Sequence, residues 1–247
     1  MLLIGGAGVM INVMIAYAVR KSDFFGYAFG TLCFCQAIAD VGICGTLVFL
    51  TGGISLLDPS FHATYLGRRS GQLLVFFWQV ALWSHFFAAI NRFVAINFPL
   101  HYKWMFGKRK IMRYVAAIWL IAMIQSAPYF IPSCSKLFDP VSFTYFKVEG
   151  LCGKILEQYD NNIVMFITLV TIGTIDTLTF VRLVKFRTKL LERSSERQNK
   201  RSEILFFYQA TAQSSLFVFS LVFFFYLVKL NLQTTFDKYL TSVNKGI

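Results

Sequence analysis

The sequence predicts an all-α protein, a polytopic transmembrane helix bundle. Three observations carry that reading. Hydrophobic residues make up 56% of the 247-residue chain and charged residues only 15%, against about 25% charged in an ordinary soluble domain. The apolar residues collect into unbroken runs of about 18 or more residues, the length a membrane span needs. Short basic segments separate these runs.

Six runs qualify: 2–19, 27–50, 73–98, 114–131, 163–181 and 204–228. At about 1.5 Å of rise per residue, each can cross about 30 Å of hydrocarbon. They are expected to be helices, because lipid offers backbone polar groups no partner and the runs lack the alternation of a barrel. No internal repeat, low-complexity tract or soluble domain interrupts them. Residues 1–230 are read as the bundle and 231–247 as a short polar tail. The net charge of +12 does not point to nucleic acid. The cations sit in loops beside apolar runs, where they act as orientation signals, and no zinc spacing, phosphate loop or basic reading helix accompanies them. No nucleophile–base pair or metal-ligand cluster suggests an enzyme.

The first run does not have the look of a secretory leader, since no basic region precedes it and no small-residue cleavage site follows. Arg20 and Lys21 follow it directly, so positive-inside logic places the N-terminus outside. The loop after the third run carries Lys103, Lys108, Arg109 and Lys110, with Arg113 at its edge. The loop after the fifth carries Lys185, Arg187, Lys189, Arg193, Arg197, Lys200 and Arg201. The other side carries Arg68, Arg69, Lys136, Lys147 and Lys154, diluted by Asp58, Asp139, Glu149, Glu157 and Asp160.

The most informative segment closes the third run: Asn91-Arg92-Phe93-Val94-Ala95-Ile96-Asn97-Phe98-Pro99-Leu100-His101-Tyr102. Read alone, Arg92 is a positive-inside anchor; an arginine at this depth is costly unless it snorkels or finds a partner. With its surroundings the segment resembles the Asp-Arg-Tyr motif of rhodopsin-like G-protein-coupled receptors and its Pro-Leu-x-Tyr extension, with Asn for the acid and Phe for Tyr. Asn12, the segment Gln36-Ala37-Ile38-Ala39-Asp40, Trp119 and Pro128 resemble that family's marks in helices one, two and four, in the same order. Asn-Arg-Phe, Gly71-Gln72, Ile175-Asp176, and Ser202-Glu203-Ile204-Leu205-Phe206-Phe207-Tyr208-Gln209 with Gln213 are similar to the nematode serpentine chemoreceptors, most closely the Srx type.

That resemblance implies a chemosensory receptor in the cell membrane, on sensory-neuron cilia, that senses an external small molecule and signals to a heterotrimeric G protein. Asn91, Arg92 and Phe93 would form the switch toward the G protein. From its place at the start of the sixth run, Glu203 reads either as a partner for Arg92, which the loss of an acid at position 91 leaves without an adjacent one, or as a solvated charge in a basic loop. Asp40 lies about 20 Å into the second run and is expected to face the bundle interior, with Asn12 as neighbour and a sodium ion as the one candidate cofactor. Asp176 reads equally as a structural or a switch residue.

Leu74, Trp78, His85 and Arg92 share one stripe of the third helix. Leu74 and Trp78 lie about 20–27 Å outward of Arg92. With Val75 and Gln79 they are the candidate ligand pocket, largely apolar with few polar contacts. No acid stands at the level of Leu74, which argues against a cationic amine. His85 reads as a core hydrogen-bonding histidine rather than a proton switch.

Cys33, Cys35 and Cys44 fall in the second run and are expected to be reduced. Cys134 and Cys152 fall in the outer loop between runs four and five, an oxidising compartment, and are expected to pair. No cysteine near the start of the third run is available for the loop-to-helix disulfide common in rhodopsin-like receptors, and no N-glycosylation sequon occurs. After Val228 no seventh apolar run follows, so the sequence reads as six spans of a seven-helix receptor fold, apparently cut short before the last helix. A second receptor copy and membrane lipids are further expected partners. The competing readings are a truncated, non-signalling receptor remnant and, from another class, a transporter or channel-like protein. The latter lacks the repeated halves and Gly/Pro-broken helices that transporters show.

The orientation is open to a direct check. An amine-reactive reagent that cannot cross the membrane, applied to intact cells, is expected to modify Lys136 and Lys154 and to spare Lys108; labelling of Lys108 would reverse the topology.

Overall fold

A computed structural model describes residues 2–21, 26–139, 144–148, 150–191 and Phe219. Apart from Phe219, the expected sixth span at 204–228 lies outside the described residues, as do Glu203 and the tail at 231–247. The chain divides into two compact units, Met1–Thr171 and Ile172–Ile247.

Among the described residues, five helices are long and apolar enough to cross a membrane. Helix α1 (Leu2–Lys21) stops on its two basic residues. Helix α2 (Tyr27–Gly45) continues without a break through a π-helical stretch, Thr46–Gly53, into the single turn α3 (Ile54–Leu57). The whole rod, Tyr27–Leu57, has 31 residues and is longer than a span of about 20 residues requires. A 3-10 turn, Pro59–Ala63, follows, capped by Asp58, whose carboxylate accepts from the Ser60 amide at 2.9 Å.

Helix α4 (Tyr65–Asn97) runs for 33 residues. It starts at Tyr65 rather than Leu73, because Thr64 supplies a side-chain cap: its hydroxyl accepts from the Gly67 amide at 3.2 Å. It stops at Phe98, in non-helical backbone (φ −134°, ψ 57°) immediately before Pro99, where the proline ring disfavours helix in its predecessor. Pro99 then opens the short helix α5 (Pro99–Met105). Helix α6 (Lys108–Ser126) takes the basic residues expected in the loop into its first turn. It ends in a 3-10 turn, Ala127–Phe130, that contains Pro128.

Small residues bring these helices together. Gly5, Ala16 and Val19 of α1 are buried, and a Cβ built on Gly8 would come within 2.7 Å of Cys44 Sγ. On the other face of α2, Gly42 meets the ring of Phe77 from α4. Between α4 and α6, Trp119 packs on Phe76 with ring centroids 5.6 Å apart. Trp83 Nε1 donates to Gln125 Oε1 at 2.8 Å. Trp119, read from the sequence as a family mark, thus packs between α4 and α6, beside a polar tie, Trp83 to Gln125, that the sequence does not flag.

The segment between α6 and the fifth long helix holds structure that the sequence reading does not assign. A two-stranded antiparallel hairpin, β1 (Lys136–Asp139) and β2 (Thr144–Lys147), pairs Phe138 with Tyr145. Four-residue strands give too short a pattern to read, and such a ribbon is marginal alone. Here it is fastened twice. The Cys134–Cys152 disulfide, Cα–Cα 5.2 Å, closes its base. Gly71 of α4 lets the Lys136 carbonyl approach so closely that a Cβ would collide with it. A short helix α7 (Leu151–Leu156) and a π-helical stretch, Glu157–Val164, lead into α8 (Met165–Leu191).

In the second unit, α8 carries Asp176, with Thr177 Oγ1 donating to the Gly173 carbonyl at 2.7 Å and Thr179 Oγ1 to the Ile175 carbonyl at 2.6 Å.

Because Gly71 faces backbone rather than a flexible side chain, Gly71→Ala is expected to cost about 1–3 kcal/mol, the usual range for overpacking. Thermal unfolding of the detergent-solubilised protein should show a lowered Tm. Gly6→Ala, which meets open space, should not lower it.

Candidate functional site

In the first unit α1, α2, α4 and α6 alternate in direction, so this set of helices has two chemically distinct ends. One end gathers Arg20, Lys21, Arg92, Lys108 and Lys110, each over an aromatic ring. Arg20 lies 4.4 Å from the Phe34 centroid, Lys21 5.7 Å from Tyr17, Lys108 5.4 Å from Tyr27 and Lys110 3.5 Å from Trp104. Such cation–aromatic pairs suit a membrane–water boundary. The other end carries the disulfide and the hairpin.

Arg92 is the buried member of the basic end. Only 3% of its surface is exposed, and its guanidinium lies 5.9 Å from the centroid of Phe29, a buried residue of the first turn of α2. Its charge is felt at Cys33 and at the buried His85. Arg92 is therefore not isolated, as the missing acid at position 91 suggests it should be; the opening turns of α2 close over it. The proposed partner Glu203 lies outside the described residues. Phe93 is half-buried and packs on Phe98 with centroids 6.1 Å apart.

Asn91, also buried, has a role the sequence does not reveal. Its Nδ2 donates to the Tyr102 hydroxyl at 3.3 Å, tying the end of α4 to α5. Tyr102 stacks on Phe106, Phe106 meets Tyr114 edge-on, and Tyr114 stacks on Phe87, with centroids 5.6, 5.7 and 5.5 Å apart. The Tyr114 hydroxyl also donates to the Met105 carbonyl at 3.2 Å. Tyr102 of the Pro-Leu-x-Tyr extension is thus the first ring of an aromatic wedge between α4 and α6, with Leu100 and Trp104 of α5 left exposed.

The remaining candidate residues are distributed as follows. Asp40 is half-buried in α2, with Gln36 one turn earlier as its side-chain hydrogen-bond partner. Asn12 donates to the Gly8 carbonyl of its own helix at 2.9 Å, and among the described residues no hydrogen bond joins it to Asp40. The bond to Gly8 uses the Asn12 amide nitrogen and leaves its Oδ1 as an acceptor. Cys35 accepts from the Ser84 hydroxyl at 3.4 Å; Cys33, Cys35 and Cys44 are outside the disulfide.

In the half of α4 nearer the disulfide end, Val75 and Gln79 are buried, and Leu74 and Trp78 are half-buried. Gln79 Oε1 has no hydrogen-bond partner among the described residues. Gln72 spends its Nε2 on the Tyr129 carbonyl at 2.5 Å, leaving its own buried Oε1 without a partner. The Gly71-Gln72 pair therefore joins α4 to the hairpin and to the end of α6.

A model of the family described as serpentine type 7TM GPCR chemoreceptor Srx matches residues 2–244. The chain belongs to the Srx family. Among its relatives, serpentine receptor class X-43 of Caenorhabditis elegans is 28% identical over 194 residues, covering 77% of this chain and 59% of that protein. Serpentine receptor class X 45 of the same organism is 23% identical over 226 residues, covering 89% of this chain and 63% of that protein. The chain thus spans about three-fifths of the length of these curated relatives. The family reading made from Asn91-Arg92-Phe93 and its flanking motifs agrees with this match, and the family is described as one of seven-helix membrane chemoreceptors.

Asn91→Ala and Tyr102→Phe are each expected to cost about 1 kcal/mol. The double variant should cost little more than either single one, because the two side chains share one bond. Additive losses of Tm in the double variant would remove the tie.

Proposed function

We propose that this Srx chain forms the membrane core of a chemoreceptor, which senses an external small molecule and signals to a heterotrimeric G protein through the end that carries Arg92. The observation that carries the reading is Arg92 itself: a buried cation of the Asn-Arg-Phe motif, held by the first turn of α2, next to an Asn91–Tyr102 bond that fixes α5. Two helix packings that differ at this point would be biased by whatever binds at the far end. In one, α2 covers Arg92; in the other, Arg92 is released toward the cytosol. The disulfide at the opposite end supports an outward-facing hairpin, since such bonds persist in oxidising compartments.

The ligand's chemistry follows from α4. From Ser70 to Asn91 the only titratable side chain is His85. The outward half offers Val75, Leu74 and Trp78 as apolar surface and the Gln79 amide as a polar contact. This suits an uncharged, mostly apolar molecule with a hydrogen-bond donor, in keeping with pockets that are apolar with a few placed polar groups.

The test is nucleotide exchange on a heterotrimeric G protein by the chain in nanodiscs, challenged with pools of small neutral alcohols and amides. An active pool is expected to raise exchange in the wild type, Arg92→Gln to abolish the response, and Gln79→Leu to weaken apparent affinity about tenfold, the equivalent of one buried hydrogen bond. Glu203→Ala, if Glu203 holds Arg92 at rest, should raise basal exchange. Solute flux through the chain without any exchange would instead favour a transporter.

A further inference from the structure

At the disulfide end, four polar side chains from separate segments form one chain of hydrogen bonds in which every proton is committed. The Ser55 hydroxyl donates to the Thr51 carbonyl. Its oxygen also lies 2.7 Å from His62 Nε2, and since its only hydrogen is already used, it must accept from that nitrogen. The Thr51 hydroxyl donates to the Thr46 carbonyl at 3.2 Å, so at 2.7 Å it accepts from the Tyr145 hydroxyl of β2. His62 is thereby fixed as the Nε2–H tautomer, with Nδ1 bare.

That bare nitrogen is buried and has no hydrogen-bond partner among the described residues. The ring, on a residue only 7% exposed, lies against Phe138 of β1 with centroids 4.7 Å apart, and Phe138 in turn lies 5.1 Å from Tyr145. A second proton on His62 would put an N–H where no acceptor stands among the described residues. An unpaired buried donor of this kind is costly.

The charged and titratable groups on the surrounding elements do not offset that cost. Asp58 is engaged with the Ser60 amide and hydroxyl. On α4, Arg69 lies over Tyr65 and Phe130 and donates to the Phe130 carbonyl, and Arg68 is exposed. On the hairpin, Lys136 and Asp139 flank Phe138, Lys147 pairs with Lys136 in register, and Tyr145 already donates to Thr51. Burial is the one cause acting on the ring, and it pushes His62 below its ordinary value of 6.5.

We propose that His62 is a proton-sensing site that releases the β1–β2 hairpin from the ends of α2 and α4 when the outside medium acidifies. The word "outside" rests on the orientation adopted under Proposed function; the release itself does not. The docked state binds the proton more weakly than the released one, so docking is complete above about pH 6.5 and is lost as pH falls below it. Each further pH unit favours release by up to about tenfold.

Hydrogen exchange of the β1 and β2 amides, measured on the full chain in lipid nanodiscs at about pH 7.5 and about pH 5.5 and corrected for the intrinsic pH dependence of exchange, tests this. Opening is expected to rise about tenfold at the lower pH in the wild type and to stay flat in His62→Gln, which keeps a donor toward Ser55 but does not titrate. Equal protection at both pH values, or the same rise in His62→Gln, overturns the proposal. Should His62→Gln not fold, NMR titration of histidine-labelled wild-type protein decides: a His62 ring pKa below 6.5 supports the site, and one at or above it refutes it. Neither measurement depends on signalling or on topology in the cell, so failure of the receptor reading would leave these results intact.

Discussion

Hydrocarbon offers no hydrogen-bond partner, and this limits the polar groups in the spans of this chain to a few arrangements. The backbone becomes helix because that closes its hydrogen bonds within one segment. Side chains follow the same rule. Asn12, Thr31, Thr46, Asn97, Thr171, Thr177 and Thr179 each donate to the carbonyl one turn back, at 2.6–2.9 Å. Other polar groups join helices instead, as Trp83 does to Gln125, Ser84 to Cys35 and Gln72 to the end of α6. These ties are local, and in the first unit they fall where glycine or another small residue lets backbones approach.

The two ends of the bundle solve a different problem, the meeting of protein, lipid and water. At the Arg92 end the solution is cationic and aromatic. Lysines and arginines rest on rings, and Asn91 and Tyr102 hold a short interfacial helix whose Leu100 and Trp104 are exposed. At the disulfide end the solution is a small hairpin, stapled at its base and seated on Gly71, His62 and Thr51. A two-stranded ribbon of this size has little stability of its own, so its position depends on those three contacts and on the Cys134–Cys152 bond. Any change in packing there bears on the whole segment between α6 and α8.

Much of this was legible in the residue order. Runs of apolar residues, the basic segments between them and the Asn-Arg-Phe segment identified a helical membrane protein of the Srx family, and the expected loop cysteines are joined in the structure. The helix ends were less legible. Capping by Thr64 and the Phe98–Pro99 break act through backbone geometry, which hydropathy does not report. Asn12 and Asp40 stand out in the sequence by depth, but only the structure shows that Asn12 donates to its own helix and that Gln36 bonds Asp40. The hairpin left no periodic trace in four-residue strands.

What the sequence determined by itself is the medium and the family, because both depend on length, polarity and local motif, properties carried by contiguous residues. What only the tertiary structure decided is which polar atoms are satisfied. Arg92 against Phe29, Asn91 against Tyr102, and the bare Nδ1 of His62 between Ser55 and Phe138 each depend on residues distant in sequence meeting in space. Hydrogen bonds reach only about 3 Å, so no count along the chain reveals them until packing brings the partners together.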